Sequence, residues 1–206
     1  MTFACDQLYN DGDCDMYPSE LAEDIGTIRE RVLAAIEEFA LDRKGPFTLA
    51  SGRVSDYYLD IKQVSLRGRV LDDISTLIWE KIRGDHPEAV GGLTLGADPL
   101  IAGVSIAAAR EGVDLIGLIV RSEAKDHGKG RKIAGPTSGK YRIVLLDDVT
   151  TTGLSTTLAG DALEAAGHAI IKVVSIVDRA EGAQETFDKR HWNFDPLFSK
   201  SDLRVE

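Results

Sequence analysis

The spacing of apolar residues predicts two amphipathic helices in the first half of the chain. The first begins near Ser19, and its apolar residues recur three or four positions apart: Ile25, Ile28, Val32, Ile36 and Phe39. This spacing puts them on one face of a helix. The second helix is predicted over residues 69–83, with inward-facing Leu71, Ile74, Leu77, Ile78 and Ile82. Two short β-like runs lie between the helices, at residues 47–50 and 57–61, and Ser51-Gly52-Arg53 is the turn-like segment that joins them.

The rest of the chain alternates between strands and helices. Strands are predicted at residues 90–95, 115–120, 142–146 and 170–177, and helices at residues 100–111 and 155–166. Most of the strand segments are unbroken runs of Val, Ile and Leu, so both of their faces are apolar. Strands of this kind are typical of a parallel sheet with helices on both sides. The pattern therefore predicts an α/β fold with a mainly parallel sheet flanked by helices.

Length and composition fit one domain preceded by a short acidic leader. The chain has 206 residues, of which 43% are hydrophobic and 28% charged, so a buried core and a polar surface can coexist. Residues 1–18 are acidic and lack periodicity, which predicts a disordered leader before a single domain at residues 19–206. The leader lacks the basic and apolar regions of a signal peptide. No apolar run approaches the roughly 18 residues of a membrane span, and we expect a cytoplasmic protein without membrane contact.

The charge distribution disfavours nucleic acid as a partner and is compatible with a small anionic ligand. The net charge is −10, whereas a nucleic-acid partner requires a broad basic surface. A few local cations are nevertheless enough to bind a small anion. The most basic stretch covers residues 121–132, which contain five Lys or Arg residues and His127 against two acids. Cations that contact an anionic ligand are therefore expected in this stretch.

A candidate phosphate-binding loop follows the strand at residues 142–146. From Val144 to Ser155 the sequence is VLLDDVTTTGLS, an apolar strand followed by two acids, a Thr- and Gly-rich turn and the start of a helix. Open α/β sheets bind ligands at the carboxyl ends of their strands, and the N–H groups at the start of a helix favour a phosphate. Gly153 permits close backbone approach, and the Thr hydroxyls add donors. The expected phosphate loop consists of Val149, Thr150, Thr151, Thr152, Gly153, Leu154 and Ser155.

Two carboxylates beside this loop narrow the class of ligand. Asp147 and Asp148 would repel a phosphate, so their expected partners are hydroxyl groups or a cation. Ribose hydroxyls placed between a phosphate pocket and Mg²⁺ would give the two acids both kinds of partner, hydroxyl groups and a cation. The segment closely resembles the phosphoribosyl pyrophosphate-binding motif of type I phosphoribosyltransferases. It lacks the Gly-Lys-Ser/Thr of a Walker loop, and an ordinary strand–helix turn rarely combines two acids with Thr-Thr-Gly.

The basic stretch resembles a second motif. Its pattern Arg-x-x-x-Lys-x-His-Gly, which starts at Arg121, is similar to the mobile catalytic loop of orotate phosphoribosyltransferases. In that family the loop closes over the pyrophosphate of the neighbouring subunit. The resemblance implies that Arg121, Lys125 and His127 neutralise the leaving group, and that the protein is a homodimer with shared active sites. Without the resemblance, a solvated basic surface loop would be the simpler interpretation.

Three further segments resemble the orotate phosphoribosyltransferase family. Residues 47–58 include Ser-Gly-Arg before an aromatic pair, as in the family's N-terminal signature, and residues 90–99 correspond to its pyrophosphate-side loop. Arg179 follows the last long strand, where the family has an arginine that pairs with the orotate carboxylate. Alone, Arg179 would also suit a surface ion pair. The resemblance covers about residues 47–182, but Ala50 and Ser122 stand where many members have lysines.

The resemblance implies a reaction and the residues that perform it. The expected fold is the type I phosphoribosyltransferase fold with a small N-terminal hood, mainly residues 19–65. The enzyme would use Mg²⁺, bound mainly by its substrates, to transfer the phosphoribosyl group from phosphoribosyl pyrophosphate to orotate. The implied catalytic residues are Lys125, His127, Asp147 and Asp148, and the implied orotate-binding residues are Thr151 and Arg179. Two alternatives stay open: a purine or xanthine phosphoribosyltransferase, and a non-catalytic regulator that senses phosphoribosyl pyrophosphate.

Overall fold

The structure is a computed structural model that describes residues 24–48, 54–122 and 132–204. Several predicted features lie outside these ranges: the leader at residues 1–18, the turn-like segment at residues 51–53, and Lys125 and His127 of the basic loop. The division into a leader and one domain stays a prediction. Among the described helices, none combines the length and the apolarity that crossing a membrane would require.

Short helices and strands alternate along the described residues. The α-helices are α1 (Ile25–Ala35), α2 (Lys62–Ser65), α3 (Gly68–Ile82), α4 (Asp98–Arg110), α5 (Leu154–Ala165) and α6 (Ala183–Asp188). The strands are β1 (Leu41–Asp42), β2 (Phe47–Thr48), β3 (Val54–Ser55), β4 (Tyr58–Leu59), β5 (Ala89–Leu93), β6 (Ile116–Val120), β7 (Ile133–Ala134), β8 (Arg142–Thr150), β9 (Ala169–Asp178), β10 (Asn193–Phe194) and β11 (Phe198–Ser199). A π-helical turn (Ile36–Ala40) continues α1, and 3₁₀ turns occupy Arg83–Asp85 and Lys200–Asp202.

Seven of the described strands form the central sheet. Their order is β7-β6-β5-β8-β9, with both β10 and β11 paired to the far side of β9. All neighbouring strands are parallel except β6 and β7. The longest strands, β8 and β9, pair from Arg142 with Ala169 to Thr150 with Asp178. This sheet confirms the mainly parallel α/β architecture predicted from the sequence.

Two apolar clusters cover opposite faces of the sheet. In β8, Val144 and Leu146 pack into the cluster that contains α1, α3 and α4, whereas Ile143 and Leu145 pack into the cluster that contains residues of α5 and α6. Successive side chains of a strand point to opposite faces, so both sets must be apolar where both faces are covered. The unbroken apolar run at residues 143–146 follows from this central position of β8.

The predicted end of β8 is wrong. The sequence placed Asp147 and Asp148 after a strand that ended at residue 146, but the strand continues to Thr150. The cause is its neighbour, because β9 pairs with β8 as far as Asp178. The two acids therefore alternate between the faces of the sheet, as strand residues do, and do not lie in the turn.

The N-terminal helices confirm their predicted apolar faces in part. In α1 and its π-helical continuation Ile28, Val32 and Ile36 are buried, whereas Ile25 and Phe39 are exposed. In α3 the predicted inward-facing residues are buried, apart from the half-buried Leu71. Helix α1 begins at Ile25 and not near Ser19, because the Oδ2 atom of Asp24 caps it by accepting a hydrogen bond of 3.2 Å from the Thr27 N–H.

The described residues of the two β-like runs of the hood that form strands pair with other strands. Strand β2 pairs with β3, and β4 pairs with β1 through Leu41 and Leu59. Strands β1, β3, β7, β10 and β11 had no counterpart in the predictions. Each has only two residues, and two residues show no apolar period that a sequence pattern could reveal.

Candidate functional site

The strand order creates a crevice between the carboxyl ends of β5 and β8. After β5 the chain returns through α4 to β6 on one side, and after β8 it returns through α5 to β9 on the other side. Helices α4 and α5 also pack on opposite faces of the sheet. Such a point, where the strand order reverses, is where open α/β sheets bind ligands. Residues 94–97 and 151–153 form the two turns that border this crevice.

The phosphate loop surrounds a small cavity. Its volume is about 80 Å³, and its lining consists of Asp147 and the seven predicted loop residues 149–155. No side chain caps the start of α5, so the first N–H groups of this helix remain available to an anion. Thr150 also lines this cavity, and its buried Oγ1 atom has no hydrogen-bond partner. A phosphate with several acceptor oxygens would suit this cavity.

Gly153 is required at the point where the loop enters α5. Its φ angle is +78°, a left-handed conformation that costs any residue with a Cβ atom roughly 1–2 kcal/mol. A Cβ atom there would also lie 2.8 Å from the ring of Phe187 on α6. Backbone geometry and packing therefore both select glycine at the start of this helix.

Asp147 points toward α5. Its Oδ2 atom accepts a hydrogen bond of 2.5 Å from the Thr156 hydroxyl, and its Oδ1 atom accepts one of 3.0 Å from the Asp148 N–H. Burial raises the pKa of Asp147 to about 7, and the charge of Asp148 acts in the same direction, against the effect of the hydrogen bonds from Thr156 and the Asp148 backbone. The site thus contains a buried carboxyl group that titrates near neutral pH.

Asp148 points to the opposite side, toward the hood. Its Oδ2 atom accepts a hydrogen bond of 2.9 Å from the ammonium group of Lys62 on α2. Gly96, in the turn after β5, lies so close that a Cβ atom would be 2.5 Å from Asp148 Oδ1. Burial would lower the pKa of Lys62, but the hydrogen bond and the charge of Asp148, with that of Asp60 3.7 Å away, raise it above its usual value.

Arg179 lies at the end of β9, beside the phosphate loop. Its backbone N–H donates to the Thr150 carbonyl at 2.9 Å. Its guanidinium carbon lies 4.9 Å from the centre of the Tyr57 ring, and its Nε lies 3.3 Å from a Glu181 carboxylate oxygen without the geometry of a hydrogen bond. Lys200 lies 5.6 Å from the same Tyr57 ring. The arginine is therefore buried between strand ends and hood, close to the crevice.

Most of the predicted site residues within the described ranges lie at this edge of the sheet. Arg121 directly follows β6, and its N–H donates to the Lys132 carbonyl at 2.9 Å. Ser122 is exposed. The two predicted catalytic residues of the basic loop, Lys125 and His127, fall outside the described residues.

Several residues near the site were missed by the sequence-based reasoning. They are Lys62, Thr156 and Lys200, whereas Tyr57 and Gly96 lie within segments that carried the family resemblance. The signal for Lys62 was available, since it is the first cation after the Ser-Gly-Arg segment and follows a predicted strand. Its importance depends on a contact with a residue 86 positions away, which no local pattern reveals.

The chain is similar to known orotate phosphoribosyltransferases, although no family model matches it. The curated orotate phosphoribosyltransferase of Nostoc sp. is 36% identical over 205 residues, which are 99% of this chain and 96% of that protein. That of Thermosynechococcus vestitus is 40% identical over 184 residues, 89% of this chain and 96% of that protein. The chain thus spans nearly the full length of both relatives.

Solved structures show the same similarity. The orotate phosphoribosyltransferase of Mycobacterium tuberculosis in complex with Fe(III) dicitrate superposes with a TM-score of 0.76 at 32% identity, covering 86% of this chain and 99% of that one. The same enzyme in complex with 5-phospho-α-D-ribosyl 1-diphosphate gives a TM-score of 0.73 at 27% identity, with coverages of 85% and 98%. These neighbours confirm the predicted type I phosphoribosyltransferase fold.

Proposed function

The chain belongs to the orotate phosphoribosyltransferase family, and we propose that it joins orotate to the ribose of phosphoribosyl pyrophosphate with release of pyrophosphate. The observation that supports this most directly is the arrangement at the end of β8. A phosphate-sized cavity lies on one side of an acidic pair, and a lysine lies on the other. A sugar with an anionic group at each end fits that order of partners.

We propose that the phosphate loop binds the 5-phosphate and that Asp147 and Asp148 accept hydrogen bonds from the ribose hydroxyls. The N–H groups at the start of α5 and the Thr hydroxyls of residues 150–152 provide donors. Binding energy from this remote phosphate positions C1 of the ribose for reaction. Orotate N1 gives its proton to solvent and bonds to C1 while the bond to pyrophosphate breaks on the opposite face. No covalent enzyme intermediate is required.

Arg179 and Thr151 are the proposed orotate-binding residues. A guanidinium group suits a planar carboxylate because it can donate two parallel hydrogen bonds. Its position near the crevice, between the Thr150 carbonyl and the Tyr57 ring, supports this role. Thr151 lies in the turn between β8 and α5 and lines the cavity.

The proposed reaction depends on Mg²⁺, and the side chains at the strand ends fit this ion. Mg²⁺ prefers oxygen ligands and usually combines one or two carboxylates with substrate phosphates. Within the described ranges, no three His, Cys, Asp or Glu side chains form a metal-binding group. We therefore propose that Mg²⁺ binds mainly to substrate oxygens, beside the carboxylates of Asp147 and Asp148. When bound, it would neutralise charge on the pyrophosphate group.

We propose that Arg121, Lys125 and His127 stabilise the departing pyrophosphate, and that the loop containing them serves the adjacent subunit of a homodimer. The support is the sequence resemblance, together with the position of Arg121 at the same edge of the sheet. Cations at this position would stabilise the negative charge that develops as the bond breaks. Cytoplasmic location and the lack of a nucleic-acid partner stay predictions.

Base specificity tests the proposed function directly. Purified protein with Mg²⁺ and phosphoribosyl pyrophosphate is offered orotate, uracil, hypoxanthine and guanine in turn. We expect pyrophosphate release with orotate alone. Release with hypoxanthine or guanine would favour the purine enzyme, and binding of phosphoribosyl pyrophosphate without turnover of any base would favour the regulator. Omission of Mg²⁺ in the same assay tests the metal requirement.

Subunit exchange tests the shared site. One inactive variant has Lys125→Ala and the other has Asp148→Asn. If loop and phosphate pocket come from different subunits, a mixed dimer has one site with both lesions and one site with neither. Statistical exchange then restores about a quarter of all sites. A mixture that stays inactive after verified exchange would contradict the shared site and leave the phosphate loop unaffected.

A further inference from the structure

Lys62 lies where the proposed substrate needs a cation. The phosphate cavity is on the α5 side of β8, next to Asp147. Asp148, the next residue, points to the other face and contacts Lys62 and the turn at Gly96. A substrate whose 5-phosphate occupies the cavity and whose hydroxyls contact the acidic pair extends its second anionic group toward this other side.

The described turn that borders that side supplies no cation of its own. The turn after β5 is Thr94-Leu95-Gly96-Ala97, without Lys or Arg. Ala50 and Ser122 stand at the two positions where lysines are expected from the family pattern. The described lysine that contacts the acidic pair comes instead from the hood helix α2.

The side chain of Lys62 can change its partner. It is 47% exposed, whereas that of Asp148 is 12% exposed, so the lysine is the partner that faces solvent. A lysine has a flexible four-carbon stem and three donors, and an ammonium group near a carboxylate can turn to a stronger anion without a backbone change. Asp148 would at the same moment gain ribose hydroxyls as its new donors.

We propose that Lys62 is a pyrophosphate-binding residue that pairs with Asp148 only in the substrate-free protein. On binding of phosphoribosyl pyrophosphate, the ribose hydroxyls replace Lys62 at Asp148, and the ammonium group contacts the pyrophosphate. This inference rests on the proposed function and assigns a role in that site to a residue of the hood. A purely structural ion pair between Lys62 and Asp148 is the opposing interpretation.

Separate titrations of the two halves of the substrate distinguish these interpretations. Calorimetry with Mg²⁺ measures the Kd of inorganic pyrophosphate and of ribose 5-phosphate for the wild type, Lys62→Gln, Lys62→Arg and Lys140→Gln. Lys140 is the matched control, because it is exposed and precedes β8 at the opposite end of the sheet. We expect Lys62→Gln to weaken pyrophosphate binding about tenfold, with ribose 5-phosphate changed less than about twofold. Lys62→Arg should retain most of the pyrophosphate affinity, and Lys140→Gln should change neither Kd.

Asp148→Asn should weaken the binding of the other half of the substrate. Because the carboxylate no longer competes for Lys62, this variant should bind inorganic pyrophosphate as tightly as the wild type or more tightly, while ribose 5-phosphate binds more weakly. Unchanged pyrophosphate affinity in Lys62→Gln, or equal weakening of both ligands, would overturn the inference. A wild-type protein that binds neither ribose 5-phosphate nor phosphoribosyl pyrophosphate would instead contradict the proposed function itself.

Discussion

Two groups of charged side chains lie toward opposite ends of the parallel strands, and they differ in composition. Toward the amino ends, the buried Lys172 lies 2.5 Å from Asp85 and 3.8 Å from Asp195, and Lys81 lies 2.5 Å from Asp195. This group contains two cations and two anions. Each charge has a partner of opposite sign, which is the condition under which buried charges are tolerated.

In the group at the carboxyl ends, not every charge has a partner of opposite sign. Asp147 and Asp148 are adjacent and buried, and of these two acids the lysine beside them, Lys62, contacts Asp148. Asp147 depends on the Thr156 hydroxyl and on a backbone N–H. The raised pKa of Asp147 is the consequence of its burial without a cation. The amino-end group therefore has the composition of a structural network, whereas the carboxyl-end group has capacity left for a ligand.

The largest expected effect comes from removing the charge of Asp148. We expect Asp148→Asn to lower kcat/KM about 100-fold or more, because an acceptor for the ribose hydroxyls loses its charge. The thermal midpoint without ligand should change little, since Lys62 is half-exposed and can be solvated. Steady-state kinetics and thermal unfolding measure the two effects. Asp114→Asn, an exposed aspartate before β6, is the control. Full activity in Asp148→Asn would contradict the proposal that Asp148 accepts hydrogen bonds from the ribose hydroxyls.

The amino-end group should show the reverse result, with stability lost and chemistry retained. Lys172→Met keeps the length of a side chain that is 9% exposed but leaves Asp85 without this cation and Asp195 with Lys81 alone. We expect the free energy of unfolding to fall by about 3 kcal/mol, measured by denaturant titration. The folded fraction should keep its kcat. Lys140→Met, at an exposed position of the same end, should have little effect on either quantity. A loss of kcat in Lys172→Met as large as that in Asp148→Asn would contradict the comparison.

A smaller effect is expected at Arg179, where a substitution should change the KM values of the two substrates by different amounts. Arg179→Ala should raise the KM of orotate about 10- to 100-fold, because a charge-assisted bidentate contact is lost. The KM of phosphoribosyl pyrophosphate should change much less. Arg179→Lys, which keeps the charge but not the planar fork, should recover part of the orotate affinity. Equal increases in both KM values would indicate a structural role for the arginine.

The smallest effect concerns the cost of burying Asp147, and it depends on pH. Its folded-state pKa of about 7 exceeds the ordinary value of 3.8. Between these pH values the folded state retains a proton that the unfolded state has lost, so stability falls as pH rises from about 4 to 7. In Asp147→Asn the side chain does not titrate in this pH range, and its amide can still pair with the Thr156 hydroxyl. Relative to the wild type, it should gain about 2 kcal/mol between pH 5 and pH 8. Parallel stability profiles of the two proteins would show that Asp147 is ionised without penalty.

The local structure of the proposed phosphate loop could be predicted because its parts are neighbours in sequence. A strand, a Thr- and Gly-rich turn and a helix start position their own N–H groups, and the cavity has the predicted lining of residues 149–155. The end of β8 could not be predicted, since it depends on pairing with β9 near Asp178. The proposed role of Arg179 rests on the family resemblance, and its contact with Tyr57 joins residues from distant parts of the chain.

The sequence by itself determined the sheet class, the turn and helix start that follow β8, and the adjacency of the two acids, because each is expressed in local periodicity or in adjacent residues. The tertiary structure decided which way each acid points and which group it meets. Alternation along β8 sends Asp147 to Thr156 and Asp148 to Lys62, and the pairing partners of β8 fix that alternation. A contact such as that of Lys62 with Asp148 has no local signal, because the chain between them must fold before the two charges come within 2.9 Å.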